Sequence, residues 1–145
     1  MAEARAVQIV QQLQQELQRV TVANGFHTDF GADVRTELAD SPIPAGPRCT
    51  LIVLGKQAGE KGSVAVEGVI EIALPASHTN AMATIYRGAD DIERLLAEMP
   101  ARLQAGQLAT ADALVPLYAA TAFLPRPEGM PFVAAEITWT TGYRR

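Results

Sequence analysis

The side chains best suited to chemistry lie in one short stretch, where His27 and Asp29 are followed by Asp33. An imidazole and carboxylates are the groups that a metal site or a general acid–base pair would use. A metal site needs three or four converging ligands, and the other histidine, His78, is distant in sequence. A turn in which Asp29 accepts hydrogen bonds from nearby backbone amides explains the stretch more simply. We therefore expect neither a metal nor a cofactor here.

Three glutamates, Glu67, Glu71 and Glu136, form a second candidate set. Glu67 and Glu71 lie four residues apart on one predicted strand, which places them roughly 13 Å apart along it. Paired catalytic carboxyl groups are about 5–10 Å apart, so these two do not form such a pair. Glu136 could come closer from a neighbouring strand. A solvated face or a contact surface is the interpretation that we favour for all three.

Two further segments contain residue types that occur in active sites. The glycine-rich segment 55–62 superficially resembles a phosphate-binding loop, but it lacks a Gly-Lys-Ser/Thr ending and joins two predicted strands. Cys49 begins an apolar run and is expected to be a buried, inert thiol. Ser63 follows Gly62 directly into a strand, without the Gly-x-Ser-x-Gly elbow of a serine hydrolase. The sequence therefore predicts that the protein is not an enzyme.

Composition sets wider limits on function. The chain has 145 residues, of which 48% are hydrophobic and 19% charged, as in an ordinary folded domain, so we expect residues 1–145 to form a single domain. A net charge of −4 provides no basic face for gripping nucleic acid. The lone cysteine indicates a reducing compartment. No signal peptide or membrane-spanning run is present in the sequence, so we expect synthesis in the cytoplasm.

Two helices should support any site. The first is predicted over residues 3–22, ending at Asn24-Gly25, because its apolar positions recur at alternating steps of four and three. These positions are Ala6, Val10, Leu13, Leu17 and Val20. The second is predicted from Thr79 to Glu98, with Pro100 as its stop, and Gly88 in its middle could produce a kink.

Five strands are predicted. Residues 34–38, 64–74 and 132–143 alternate with period two, residues 48–54 form an apolar run typical of a central strand, and residues 114–124 are joined to the last strand by segment 125–131. In the last of these, Val133, Ala135, Ile137 and Trp139 should face inward, with Glu136, Thr138 and Thr140 outward. Segment 55–62 is predicted to be a flexible polar loop. The order of elements lacks βαβ alternation, which predicts an α+β fold: a mostly antiparallel sheet of about five strands with two main helices packed on one face.

This order of elements resembles that of the tail terminator proteins of long-tailed bacteriophages (the siphovirus type). The features that carry the resemblance are the opening helix, stretch 24–34, the charged turn 125–129 and the final alternating strand 133–141. The resemblance implies a structural virion protein of the tail or neck, without catalytic residues. It implies a hexameric ring that caps the tail tube, terminates tail polymerisation and provides the head-joining surface.

The same resemblance implies the partners. They are further copies of the chain, the tail tube protein and a head-completion or stopper protein, while DNA passes through the lumen without sequence-specific binding and no membrane is involved. The loop around Lys56 and Lys61 is our first candidate contact with the tube or with a neighbouring subunit, and the 125–129 turn is the second. The candidate interface residues are Lys56, Gln57, Glu60, Lys61, Glu67, Glu71, Arg126, Glu128 and Glu136.

Two alternatives stay open. The nearer one is another head–tail joining or tail-completion protein of the neck, which would share the ring but contact different partners. The more distant one is a small cytoplasmic enzyme or ligand-binding domain that uses His27, Asp29 and Glu136. An enzyme should place these three side chains around one concave pocket.

Overall fold

The computed structural model describes residues 4–37, 44–108, 115–124 and 129–144. The described residues form two α-helices, α1 (Arg5–Leu17) and α2 (Ala81–Gln104), and five strands. The strands are β1 (Val34–Arg35), β2 (Arg48–Ala58), β3 (Ser63–Pro75), β4 (Leu117–Phe123) and β5 (Phe132–Arg144). Short 3₁₀ turns lie at Val22–Asn24, Phe30–Ala32 and Glu60–Gly62.

The strands form one sheet in the order β1-β2-β3-β5-β4. Only the short β1–β2 pair is parallel, and every other pair is antiparallel. β3 and β5 pair along their full lengths, from Ser63 opposite Arg144 to Pro75 opposite Phe132. The structure therefore confirms the predicted α+β class and the mostly antiparallel sheet.

Both helices pack on the same face of the sheet, where their apolar residues and the alternate inward residues of β3 and β5 form one core. The predicted inward set of β5 is buried, with Ala135, Ile137 and Trp139 fully so, and Glu67 on β3 is exposed on the other face as expected. Gly68 makes room for the indole of Trp139, since a Cβ atom there would lie 2.1 Å from the ring. Within the described part of the chain, no helix is long and apolar enough to cross a membrane.

Helix α1 is shorter than predicted, ending at Leu17 instead of Val22. The cause is a tertiary contact: Gly31 donates its amide hydrogen to the Val20 carbonyl at 2.8 Å and packs directly on the backbone oxygen of Leu17. The Leu17 carbonyl accepts a hydrogen bond from the Val20 amide three residues later, and the Val20 carbonyl accepts one from Gly31, so the α-helical pattern does not continue. Gly25 does take the left-handed conformation expected of it (φ 89°), but it ends the 3₁₀ turn that follows the helix.

Helix α2 begins two residues later than predicted and continues past Pro100 to Gln104. A proline inside a helix costs about 3 kcal/mol, because it removes one hydrogen bond and crowds the preceding turn. Contacts after the proline offset this cost. Arg102 donates two hydrogen bonds, of 2.9 and 3.1 Å, to the buried carboxylate of Glu16 on α1, and Leu103 packs against the core.

Strand boundaries also differ from the predictions. β2 continues to Ala58, so the predicted loop 55–62 is wrong for residues 55–58, which pair with Val64–Glu67 of β3 after a bulge at Leu54. β1 pairs over only two residues, and Leu38 lies outside the described residues. β4 begins at Leu117, after a stretch (109–114) that the structure does not describe.

Candidate functional surface

The β2–β3 hairpin carries four of the candidate interface residues, Lys56, Gln57, Glu60 and Lys61, and all four are exposed. At its tip Lys61 and Gly62 both have left-handed backbone angles, with φ values of 50° and 79°. Ser63 donates its amide hydrogen to the Glu60 carbonyl, so Lys61 and Gly62 are the central residues of a turn whose angles match type I′. Four residues, 59–62, therefore join the two strands, a shorter connection than the predicted loop 55–62.

Lys56 lies on the helix side of this ribbon. Its ammonium donates a hydrogen bond of 2.9 Å to the Tyr143 hydroxyl and lies 5.2 Å from the centre of that ring. The guanidinium of Arg5, at the start of α1, lies 5.9 Å from the same ring. Two cations therefore lie against the ring of the half-buried Tyr143, and Lys56 is partly engaged within its own subunit.

Gln57 and Glu67 belong to the opposite, helix-free face. Glu67 pairs with Gly55 on β2 and with Thr140 on β5. Together with Lys56 and Gln57, these three residues line a shallow depression of about 200 Å³. The structure thus brings five of the nine candidates, those on the hairpin and Glu67, to one end of the sheet, but divides them between its two faces.

Glu71 and Glu136 form a second group further along the helix-free face. They are direct cross-strand partners, so Glu136 does approach from the neighbouring strand. Burial raises the pKa of Glu71 from its ordinary 4.5, and repulsion by Glu136 raises it further, while Arg48 acts in the opposite direction. Like charges placed directly opposite each other destabilise a sheet. Arg126 and Glu128, the remaining candidates, lie outside the described residues.

Stretch 24–34 owes its position to Asp91, a buried acid on α2 that sequence reasoning missed. Its carboxylate accepts hydrogen bonds from the backbone amides of His27 and Thr28 and, at 2.6 Å, from the Thr28 hydroxyl. The available signal was its position four residues before Leu95, on the apolar face of α2. Asp29 accepts a bond of 2.8 Å from the Val22 amide, as the turn interpretation expects.

These contacts hold His27 and Asp29 on the helix side, whereas Glu136 lies on the other face of the sheet. The three residues of the enzyme alternative therefore do not surround one pocket. Among the described residues no group of three or more His, Cys, Asp or Glu side chains is placed to hold a metal ion. Burial and the nearby Asp33 and Glu71 raise the pKa of Cys49 to about 12, which is the behaviour of an inert thiol at neutral pH.

Sequence reasoning also missed an exposed apolar edge. β4 contains no charged residue, and Leu117, Tyr118 and Phe123 are all exposed. Phe123 makes an edge-to-face contact with Tyr86 of α2, with ring centres 4.9 Å apart. An uncharged, apolar edge strand is the type of surface that pairs with another chain. The signal was the absence of charge in segment 117–123.

The fold as a whole is similar to that of a chain in a solved structure described as the virion of a native gene transfer agent (GTA) particle. The likeness covers 97% of this chain and 98% of that chain, with a TM-score of 0.57 and 17% sequence identity. At this identity the likeness establishes the fold alone. No protein-family model and no curated protein matches the sequence.

Proposed function

We infer that the protein is a structural subunit of a virion, and that its role is to form a ring that caps the tail tube. The ring terminates tail polymerisation and presents the surface to which the head joins. The observation that carries this proposal is the likeness, along nearly the whole of both chains, to a chain of a virion particle. Resemblance to tail terminators in the order of elements and in stretch 24–34 supports the finer role.

The charge of the chain supports passage of DNA through such a ring. A net charge of −4 per subunit, with Glu67 exposed on the helix-free face, repels a polyanion instead of binding it. Acidic subunits around a channel therefore allow DNA to move without adhering.

The hairpin tip is the proposed contact with the tail tube. It is a paired ribbon with a tight turn, so its exposed charges are held in defined positions before binding, which lowers the entropic cost of association. Lys61 at the tip gives the cleaner test, because Lys56 is engaged with Tyr143. Glutamate replaces lysine at φ 50° without changing the backbone strain, since both are ordinary L-residues with a Cβ atom.

The experiment is complementation of a particle-producing strain in which this gene is disrupted. Without the protein, tails should grow beyond their normal length, and the natural chain should restore it. Lys61→Glu, alone or combined with Lys56→Glu, should leave the chain folded but fail to restore normal tails, and the single variant is the one compared with the control. Arg87→Glu, the same charge reversal at an exposed site on α2, is the matched control and should complement.

Tail length and head attachment separate the remaining possibilities. Overlong tubes in the disrupted strain support the terminator role. Tails of normal length that stay unjoined to heads would instead favour the alternative role, that of another head–tail joining protein of the neck. Particles of normal length and normal attachment would contradict both roles.

A further inference from the structure

The sheet has two free edges with matching dimensions. At one edge β1 pairs only with Cys49 and Thr50, so among the described residues no strand pairs with this side of β2 over residues 51–58. At the other edge lies β4. Six of its seven residues pair with β5, with a bulge at Ala119, and among the described residues no strand pairs with its other side. At about 3.3 Å per residue the free edges measure roughly 26 and 23 Å.

The β4 edge presents aromatic side chains on the helix side of the sheet. Phe123 is 45% exposed although it touches Tyr86 of α2. The hydroxyl of Tyr118 bonds to Thr121, which in turn bonds to Glu93 of α2, so this ring also lies on the helix side. Natural edge strands are usually protected by charge, proline, a bulge or a cover. These seven residues include neither charge nor proline, and the bulge at Ala119 leaves the four residues Ala120–Phe123 as a regular edge.

The β2 edge presents a groove on the same side of the sheet. The groove lies between α1 and β2 and has a volume of about 570 Å³. Its apolar lining comes from Val7 and Val10 on α1 and from Leu51 and Val53 on β2. Val7 is 38% exposed, so its side chain is open to a partner at the groove. The rest of the lining is polar and includes Gln11, Gln14, Thr36 and Glu37. An open groove with an apolar part therefore borders a strand edge that no described strand pairs with.

We propose that the β4 edge of one copy of the chain pairs with the free β2 edge of the next, so that Phe123 and Tyr118 enter the α1–β2 groove of the neighbour. The strand directions suit this pairing, because β4 runs antiparallel to β2 within the sheet. A rotation about an axis roughly parallel to the strands preserves this direction and keeps the helices of both copies on the same side. Backbone hydrogen bonds supply affinity, and the aromatic rings in the groove supply specificity.

This contact joins two different patches, so it is heterologous and closes into a ring when the rotation between copies is right. The inference rests on the proposed ring function and names the surfaces that build the ring. These ring-building surfaces, the β4 edge and the α1–β2 groove, are separate from the hairpin tip, which remains available for the tail tube.

The test uses two variants, each of which damages one patch. Phe123→Lys places a charge on the β4 edge, and Val7→Lys places one in the groove; both positions are exposed, so the subunit should stay folded. Each variant alone should assemble at least 10-fold more weakly than the natural chain. Val22→Lys, a change at a 56% exposed apolar residue on neither edge, is the control and should assemble normally.

Mixing gives the decisive result. An equimolar mixture of the Phe123→Lys and Val7→Lys chains retains one intact contact per pair, so it should form dimers of about twice the 15.5 kDa subunit mass, whereas each variant alone stays monomeric. Rings that survive both substitutions would overturn the edge pairing while leaving the ring function intact. A natural chain that forms no ring, alone or on tails, would overturn the ring function itself and this inference with it.

Discussion

Replacing Gly88 by alanine sets two known effects against each other in the middle of α2. Alanine raises helix propensity by about 1 kcal/mol relative to glycine, which by itself predicts a more stable protein. The structure predicts the opposite result. A Cβ atom at this position would lie 2.3 Å from a ring carbon of Phe30 and 2.9 Å from the Cδ1 atom of Ile72.

Carbon atoms in contact lie about 3.5–4.0 Å apart, so the Phe30 ring would have to move by more than an ångström. Phe30 is fully buried, so its ring cannot move out into solvent without disturbing its core neighbours. Overpacking of this kind costs typically 1–3 kcal/mol, and the crowding here is at the upper end of that range. After the propensity gain is subtracted, we expect Gly88→Ala to destabilise the protein by about 1–2 kcal/mol.

Urea unfolding followed by circular dichroism measures this difference as a midpoint lowered by roughly 0.5–1 M. Gly55→Ala is the matched control: its Cβ atom would meet nothing within 4 Å, so its midpoint should be unchanged or slightly higher. In a Phe30→Leu background the smaller side chain should relieve the clash, and Gly88→Ala should then cost less. A Gly88→Ala chain more stable than the natural one would refute the packing argument.

Two further predictions concern the buried carboxylate of Asp91 and the half-buried carboxylate of Glu71. Asp91→Ala should cost about 3–5 kcal/mol in unfolding free energy, because it leaves the Thr28 amide and hydroxyl without their acceptor. Asp90→Ala on the exposed side of α2 should change stability by less than about 0.5 kcal/mol. Burial and the charge of Glu136 raise the pKa of Glu71 above 4.5 in the folded protein, so the folded state binds this proton more tightly than the unfolded chain does. The ionised Glu71 therefore destabilises the fold at neutral pH, and this destabilisation disappears as the pH falls through the raised pKa to 4.5. Glu71→Gln should therefore melt at a higher temperature than the natural chain at pH 7, with the difference vanishing below pH 4.5; a gap that is constant with pH would contradict this.

The spacing of apolar residues along the chain predicted which face of a strand or helix is buried. The alternation in β3 and β5 and the apolar stripe of α2 indicated which side chains enter the core, and the structure confirms them for Ile70, Ile137 and Ile92. These patterns depend only on residues close in sequence, so the buried face can be predicted without knowing which strands pair.

The features that were wrong or missed depend on contacts between distant segments. Residues 55–58 of β2 have no apolar alternation and become a strand only because β3 pairs with them. Helix α1 ends early where Gly31 packs on its last turn, and α2 passes Pro100 because Arg102 reaches Glu16. No local rule contains these contacts.

The candidate surface also has features that the sequence predicted and features that depend on contacts between distant segments. Exposure of Lys61 and the outward direction of Glu67 followed from turn and strand patterns. The pairing of Glu71 with Glu136 required the register between β3 and β5, which sequence alone left open. The role of Asp91 required the position of stretch 24–34 against α2, a separation of more than sixty residues along the chain.

Molecular mass in solution, measured by light scattering over a concentration series with electron micrographs of the largest species, tests the central claim most directly. We expect rings of about six subunits, with a mass of about 93 kDa for subunits of 15.5 kDa, or rings that appear when tail tubes are added. A chain that stays monomeric at high concentration and forms no cap on tail tubes would contradict it.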